Sequence, residues 1–563
     1  KADAKARSSI MLKAEAVSRY PSPAAPLAYG TAGFRARAEL LEGVFYRMGM
    51  LAALRSRALG GLAVGLMVTA SHNPERDNGV KLIDTDGGML AVSWEKHASE
   101  LANAPVEQLN QVIASIVVAE KCDAASVGTV LLGRDTRPHS EKLSAIALEG
   151  VGALGAAGRD LGLLSTPQLH HLVRMTNGEK GAGPYVGDTA AWNSEQGYYT
   201  MLADAFSALL SSGGDRASCS PLWADAAHGV GAPKLEALLS KTPQLQVAVA
   251  NTVGTGPLND GCGAEHVQKA RLPPRGYEAP LAGRDRAASL DGDADRIVYH
   301  YWTKDGSWRL LDGDKICALF VGFIAEQLDA LALEPPISLA AVQTAYANGA
   351  SGRFVKSLGV PVAMAKTGVK YLHHVALENE LSVYFEANGH GTVLFSDRAT
   401  SALLAAKAEA EGASDEARAL AAGRLLLVRQ LVNQAIGDAL SDLLLVEAIL
   451  ALRGWGAAEW DGLYEDLPSR QSKLPVKDRT AITTTPTEER LTSPLALQSA
   501  LDSLMAECPH GRCFVRPSGT EDVVRVYAEA ATQADADALA LRTAQATWEL
   551  AGGVGEKPTG AAA

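Results

Sequence analysis

Short apolar or β-branched runs alternate with longer helix-prone ones through most of this chain. That alternation restricts the fold more than any other feature. Val127–Asp135 (VGTVLLGRD) reads as a strand running into a loop, and Glu141–Leu154 as the helix after it. Leu245–Ala250 is another strand-like run, Ile316–Leu331 reads as helical, and Leu381–Glu386 as a strand ending at a loop. Strands that alternate with helices imply crossover connections and α/β layers. At 563 residues the chain is too long for one hydrophobic core, so several domains are expected. Three successive α/β units fit before about residue 460, with seams expected at Asn177–Asp188, Asp305–Asp314 and Trp455–Pro468. The Ala/Glu stretch Leu403–Ala421 is helix-prone. After about Asp466 the pattern becomes that of a small α+β unit, with strand-like Cys513–Val515 and Val523–Ala528.

Composition narrows the function classes. Apolar residues make up 47% and charged ones 21%, a globular balance. A net charge of −12 argues against broad nucleic-acid binding, yet local arginines can still build a pocket for a small anion. The six cysteines (Cys122, Cys219, Cys262, Cys317, Cys508, Cys513) are scattered without a C-x-x-C pair, the expectation being free thiols in a reducing compartment. There is no N-x-S/T sequon. The longest apolar run, Ile316–Ala325, is about ten residues, against roughly 20 for a membrane helix. The basic N-terminus lacks a long apolar core and makes a poor secretory signal, so a soluble cytoplasmic protein is expected. The sequence does not open on Met, which suggests a trimmed or partial N-terminus.

Four loops carry chemistry. In the first, VTASHNPERDNGVKLIDTDGGML, Ser71 follows a short strand. It reads equally as a turn or cap residue and as a nucleophile, and no G-x-S-x-G elbow surrounds it. The second is DGDADR, Asp291–Arg296, where carboxylates at i, i+2 and i+4 can converge on one hard cation. The EF-hand pattern fails here, because Arg296 stands at position six and Trp302 at position twelve. Three acids beside an arginine suit magnesium holding a phosphate oxygen better than they suit a solvated acidic turn. In the third, YFEANGHGT, a strand delivers Glu386 to a loop with Asn388, Gly389, His390 and Gly391. A carboxylate at such a tip accepts from neighbouring sugar hydroxyls; a solvated strand end and a metal-ligand set are the other readings. In the fourth, RPSGTEDVVRVYAEA, Arg516, Ser518, Gly519, Thr520 and Arg525 can cradle a phosphate, the alternative being a salt-bridged turn. YGTAGFRAR adds Arg35 and Arg37, GRDTRP adds Arg134 and Arg137, and TGVKYLHH adds Lys370 and two histidines.

Together these stretches resemble the α-D-phosphohexomutase superfamily, whose phosphoserine, metal, sugar and C-terminal phosphate loops occur in this order. The match spans almost the whole chain. TASHNPERDNGVKL, LNDGCGAEHV, QTAYANGAS, TGVKYLHH, FEANGHGT and RPSGTEDVVRVYAEA look like its eukaryotic phosphoacetylglucosamine mutase branch. The four core loops contain no departure; the departures lie in connecting segments such as Leu403–Ala421 and Gly552–Ala563.

The resemblance implies an α/β fold of three similar mixed-sheet domains and a smaller α+β C-terminal domain around a central cleft. The expected divisions are 1–188 (phosphoserine loop), 189–310 (metal loop), 311–463 (sugar loop) and 464–563 (phosphate loop). The implied reaction interconverts N-acetylglucosamine 6-phosphate and 1-phosphate, a step towards UDP-N-acetylglucosamine, through a phosphorylated Ser71 and a sugar 1,6-bisphosphate that also serves as activator. One Mg2+ is expected on Asp291, Asp293, Asp295 and Ser71. Arg35, Arg134 and Arg296 are candidates to hold the transferring phosphoryl group, and His72, Lys370 and His390 to act as acid or base. Glu386, Asn388 and His390 are expected at the sugar, with Asn388 and the Thr367–Lys370 loop facing its acetamido group. Arg516, Ser518, Gly519, Thr520 and Arg525 are expected at the non-reacting phosphate. Partners are confined to small sugar phosphates, without nucleic acid or membrane, in a monomer or weak homo-oligomer. The runner-up is phosphoglucomutase or phosphomannomutase activity by the same mechanism. A catalytically silent homologue and a metal-dependent hydrolase using Ser71 fit less well.

Overall fold

The computed structural model describes residues 18–30, 32–123, 125–182, 188–214, 217–518 and 522–560. The chain divides into two compact units, Lys1–Asp312 with Asn388–Ala457, and Gly313–Ala387 with Ala458–Ala563.

The first unit contains two five-stranded sheets built on one plan. Strands β1 (Phe34–Arg37), β2 (Ala63–Val68), β3 (Asp77–Ile83), β4 (Thr129–Arg134) and β5 (Ala157–Leu163) lie in the order β1-β3-β2-β4-β5. The β1–β3 and β3–β2 pairs are antiparallel, the β2–β4 and β4–β5 pairs parallel. Strands β6 (Leu222–Asp225), β7 (Val247–Ala250), β8 (Ala287–Leu290), β9 (Ile297–Trp302) and β10 (Trp308–Leu311) lie in the order β10-β9-β8-β6-β7. Here too the first two pairings are antiparallel and the last two parallel. The β2–β3 loop carries Ser71 and the β8–β9 loop carries Asp291–Asp295, so the two loops occupy the same topological position.

Side-chain alternation explains why β2 is central. Its AVGLMV is buried throughout, as expected of a strand covered on both faces. Leu66 and Val68 join Val80, Val130 and Leu132 in a core that also takes in Phe45, Leu51 and Leu143 from the helices Glu42–Ala58 and Ser140–Ala153. Met67, one step out of phase, joins Ile83, Leu131, Leu169 and Val173 under the helix Thr166–Asn177. That helix begins with a Ser165–Gln168 capping box and Pro167 in its first turn.

In the second unit, β11 (Leu339–Thr344) pairs parallel with both β12 (Val362–Ala365) and β13 (Leu381–Phe385). This repeats the parallel part of the first two sheets, and the loop after β13 carries Glu386. Strand β14 (Gly391–Phe395) belongs to the first unit. The C-terminal segment adds β15 (Ser469–Pro475), a ribbon of β16 (Thr483–Thr484) and β17 (Leu491–Ser493), then β18 (Arg512–Pro517) and β19 (Val523–Glu529). The antiparallel sheet β15-β19-β18 puts Leu474, Val515, Val524 and Val526 into a core with the helices Leu495–Ala506 and Gln533–Leu550. On its other face Phe514 and Tyr527 stack at 5.1 Å, and Tyr346 meets both edge-on.

The α/β expectation with a smaller α+β end is borne out. The helix-prone Leu403–Ala421 is two helices rather than one, Asp397–Gly412 and Glu416–Leu431. Ser414 adopts a φ of 57°, and Asp415 caps the second helix through the Arg418 amide, a local turn that outweighs helix propensity. No helix of the described residues is long and apolar enough to cross a membrane.

Candidate active site

The serine loop and the acidic loop meet within the first unit. Ser71 is buried and its hydroxyl donates to Asp291 Oδ2 at 2.7 Å. Its backbone is left-handed, with φ 52°, a conformation that costs a non-glycine residue roughly 1–2 kcal/mol. Surrounding bonds hold it there. The Ser71 amide donates to Thr69 Oγ1 at 2.9 Å, and that hydroxyl donates to Asp135 Oδ2 at 2.8 Å. Gly292 abuts the Ser71 carbonyl so closely that a Cβ there would stand 2.6 Å from the oxygen.

Asp291, Asp293 and Asp295 offer one oxygen each within 4.8 Å of one another, and all three are buried. The loop curls because Asp291 Oδ1 accepts from the Asp295 and Arg296 amides at 3.1 and 3.3 Å, with Ala294 at φ 57°. Lys81, from β3, donates to Asp293 Oδ2 at 3.1 Å and to Asp295 Oδ2 at 3.0 Å. Thr166 Oγ1 donates to the same Asp293 oxygen at 2.6 Å. The other oxygens, Asp293 Oδ1 and Asp295 Oδ1, are buried without a hydrogen bond among the described residues. Buried acceptors left in this state imply a missing partner, and three hard oxygen donors suit a small divalent cation.

The electrostatics are uneven. Burial, then Asp295 and Asp293, pushes Asp291 well above the usual carboxylate range. For Asp295 the burial penalty is outweighed by Lys81, His390 and Arg296, which hold it well below that range. Lys81 is raised, since Asp293 and Asp295 overcome the burial that opposes its charge.

Several expected residues converge here. Arg296 Nη1 donates to Glu265 Oε2 at 3.0 Å, and its Nε lies 3.8 Å from both Asp291 and Asp295. His390 Nδ1 lies 3.5 Å from Asp295 Oδ1, and its amide donates to Asn388 Oδ1 at 3.0 Å. Gly389, at φ 85°, packs on the Ile297 carbonyl, which a Cβ would meet at 1.9 Å. Arg35 donates to Asn73 Oδ1 at 3.4 Å, and its pKa is lowered by burial and by Arg296. His72 Nε2 lies 3.7 Å from Glu265; burial, Arg296 and Arg35 hold its pKa far below the ordinary histidine value. Arg134 is directed elsewhere, pairing with Asp160 at 3.5 Å and Glu141 at 3.9 Å. The arginine of that loop that reaches Ser71 is Arg137, whose Nη2 donates to the Ser71 carbonyl at 2.9 Å.

The remaining candidates lie in the second unit. Glu386 Oε1 accepts from the Gly368 amide at 3.2 Å, one residue before the helix Val369–Ala376, in whose first turn Lys370 is buried. The Thr367 amide donates to Glu488 Oε2 at 3.1 Å, and Glu488 Oε1 lies 3.7 Å from Arg516 Nη1. Arg516 Nε donates to the Tyr346 hydroxyl at 3.0 Å. Across the sheet Arg516 stands opposite Arg525, and Arg525 opposite Lys473. Like charges placed directly opposite one another repel, and Glu488 offsets part of that at Arg516. Arg479 donates to the Ser518 carbonyl at 2.9 Å. Gly519 and Thr520 lie outside the described residues. Lys81, Thr166 and Lys473 were not singled out as site residues from the sequence; each comes from a strand or helix remote from its partners, and only the preference of buried carboxylates for counter-charges pointed towards such groups.

Comparison with known proteins decides the family. Phosphoacetylglucosamine mutase of Sus scrofa is 47% identical over 541 residues, covering 94% of this chain and 96% of the relative. The chain belongs to the phosphoacetylglucosamine mutase family. Family models agree: phosphoacetylglucosamine mutase AMG1 domain II matches 188–298 and domain III 312–455. Phosphoglucomutase/phosphomannomutase alpha/beta/alpha domain I matches 51–105 and 92–183, and the C-terminal domain of that family 508–546. The crystal structure of Aspergillus fumigatus N-acetylphosphoglucosamine mutase in complex with GlcNAc-6P and magnesium is similar, with a TM-score of 0.88, 40% identity and coverage of 97% of this chain and 99% of that one. A serine-to-alanine form of the Aspergillus mutase in complex with glucose 1,6-bisphosphate has a TM-score of 0.86 at 40% identity, covering 98% and 99%. The membership expected from the motifs is thus borne out, and in this chain the serine and acidic loops form one buried cluster.

Proposed function

We infer that this chain interconverts N-acetylglucosamine 6-phosphate and N-acetylglucosamine 1-phosphate. The observation that carries the reading is the Ser71 hydroxyl 2.7 Å from Asp291, inside a triad of buried carboxylates, in a chain of this family. Ser71 carries the phosphoryl group. The bond from its oxygen to phosphorus breaks as the free sugar hydroxyl bonds to phosphorus and gives up its proton, yielding the 1,6-bisphosphate. In the reverse sense, Ser71 takes the other phosphoryl group from the reoriented bisphosphate. Asp291, Asp293 and Asp295, with Ser71, would hold one Mg2+. When bound, that cation neutralises charge on the phosphoryl oxygens.

The chain's own groups do the rest. Arg35 and Arg296 supply further positive charge in the first unit. Glu386 grips sugar hydroxyls, while Asn388 and the Thr367–Lys370 loop favour the acetamido group. The row of Lys473, Arg525 and Arg516, with Ser518, Gly519 and Thr520, holds the non-reacting phosphate. Of the acid/base candidates, His72 is too weakly basic in its buried, cationic surroundings. Lys370 and His390 remain. Four functional divisions at 1–188, 189–310, 311–463 and 464–563 fit this sharing of roles. All six cysteines are free, which supports a cytoplasmic enzyme. We read it as monomeric or weakly self-associating; sedimentation showing a tight oligomer at nanomolar concentration rejects that.

The test is isomerisation of N-acetylglucosamine 6-phosphate, beside glucose 6-phosphate, with Mg2+ and a trace of sugar bisphosphate. Wild type should prefer the acetamido sugar, and Ser71→Ala should lose activity by on the order of 10⁴-fold or more. Preference for glucose 6-phosphate moves the substrate to the phosphoglucomutase alternative. An unimpaired Ser71→Ala removes the phosphoserine mechanism.

A further inference from the structure

We propose that Arg137 is a positioning residue for Ser71, fixing the serine loop from beneath through all five of its guanidinium N–H groups. The side chain is fully buried. Nη2 donates to the carbonyls of Ser71 at 2.9 Å and Asn73 at 2.8 Å. Nη1 donates to the carbonyls of Pro74 at 2.6 Å and Asp77 at 2.9 Å. Nε donates to Asp135 Oδ2 at 3.0 Å. Each donor of the fork is satisfied, and four of the five partners are carbonyls of the loop that presents the serine.

The pattern is directed at Ser71 from both ends of its backbone. Asp135 orients Arg137 and also accepts from Thr69 Oγ1, the atom that takes the Ser71 amide proton. Asn259 Nδ2 supplements the fork, donating to the Ser71 and Asn73 carbonyls at 2.9 and 3.1 Å. A lysine keeps the charge but has three donors at one point, and it cannot span four carbonyls. A seven-residue turn with a left-handed serine at its start therefore depends on a planar fork for its shape. Phosphoryl transfer depends on in-line placement, and a displacement of about 1 Å lowers the rate by about 100-fold. Arg137 does not itself touch the reacting atoms in this account; it acts through the serine.

The inference rests on Ser71 as the phosphoryl carrier, so its test separates the two. Full-length wild type, Arg137→Lys and Asn259→Gly are assayed on N-acetylglucosamine 6-phosphate with Mg2+ and glucose 1,6-bisphosphate. Activity is referred to folded protein, measured by circular dichroism, and Ser71 phosphorylation by the bisphosphate is followed by intact mass. Glycine retains the left-handed turn at Asn259, φ 61°. Arg137→Lys should lower kcat by about 100-fold. It should slow Ser71 phosphorylation in parallel and leave KM unchanged. Asn259→Gly should lower kcat by about 10-fold with the same split, and it carries the test if Arg137→Lys does not fold. A merely structural arginine predicts lower thermal stability with full kcat per folded molecule, and that result overturns the proposal. Wild type inert towards both sugar and serine phosphorylation overturns the reading of function, and this inference with it.

Discussion

The Ser71–Asp291 cluster and the Glu386–Arg516 loops are built by different means, and the contrast separates two tasks. In the first unit the working groups are buried side chains fixed by other side chains: Lys81 and Thr166 on Asp293, Arg137 and Thr69 around Ser71. In the second, the Gly368 backbone amide donates to Glu386, and Arg516 donates to a tyrosine hydroxyl with a carboxylate 3.7 Å away. Dense fixing suits a group whose oxygen must stand in line with a phosphorus atom. Holding through a backbone amide and a tyrosine hydroxyl suits groups proposed to accept a sugar phosphate in either orientation. Changes in the first unit should therefore fall on kcat and on metal binding, and changes in the second on KM.

After the loss of Ser71 itself, the largest expected effect comes from breaking the triad. Asp293→Asn should lower kcat/KM by about 10³-fold, equivalent to about 4 kcal/mol of lost charge stabilisation. Added Mg2+ should restore only part of it, as a magnesium titration of the rate will read. Next is Gly292→Ala. Its methyl would stand 2.6 Å from the Ser71 carbonyl and 3.0 Å from Asn259 Nδ2, so the serine loop has to move. We expect kcat to fall by about 100-fold and stability by about 1–3 kcal/mol, measured by steady-state kinetics and urea unfolding. Glu386→Gln should raise KM by about 10-fold with kcat nearly kept, the loss of one charge-assisted hydrogen bond. A kcat effect there larger than that of Gly292→Ala would break the division of labour. Thr166→Val removes the 2.6 Å bond to Asp293 Oδ2 and should weaken Mg2+ binding by about 10-fold by calorimetry.

Legibility in the sequence followed distance along the chain. DGDADR announced itself because its three carboxylates lie within five residues and curl on their own backbone. The strands ending at Val68, Leu290 and Phe385 were readable from apolar runs cut off by polar loops. Lys81 was not, since its partners lie more than 200 residues away and a lysine in a strand reads as a solvated face. The arginine pair shows a finer limit. Arg134 ends β4, where strand phase turns it towards Asp160 on the neighbouring strand, whereas Arg137 follows a turn whose shape Asp135 sets. Sequence offered both without the phase to choose between them. Lys473 stands beside Arg525 only through strand register, which the sequence of β15 does not specify. The loop after β13 spans the boundary between the two units, with Glu386 in the second and His390 in the first.

The smallest expected effect touches stability alone and tests whether the rigid part of the first unit is also its acid-sensitive part. Burial holds His300 neutral, pushed down to about 3, and His171 to about 4. His300 lies between the rings of Tyr277 and Trp308, at 5.0 and 5.7 Å, with Ser289 Oγ 3.1 Å from its Nε2. An unfolded histidine titrates near 6.5. Between about 6.5 and 3 the unfolded chain thus binds protons that the folded chain refuses. The contribution is complete above 6.5 and declines as pH falls. For His300 this amounts to about 0.8 kcal/mol lost at pH 6 and about 2 kcal/mol at pH 5. Buried Asp135, Asp225 and Asp438, whose pKa values burial raises, act in the opposite sense. The informative quantity is therefore the difference between wild type and His300→Gln in urea midpoint at pH 7, 6 and 5. The variant should be less stable at pH 7 and should close on the wild type by those amounts. Parallel lines across the three pH values would mean that the imidazole takes up its proton without leaving the core.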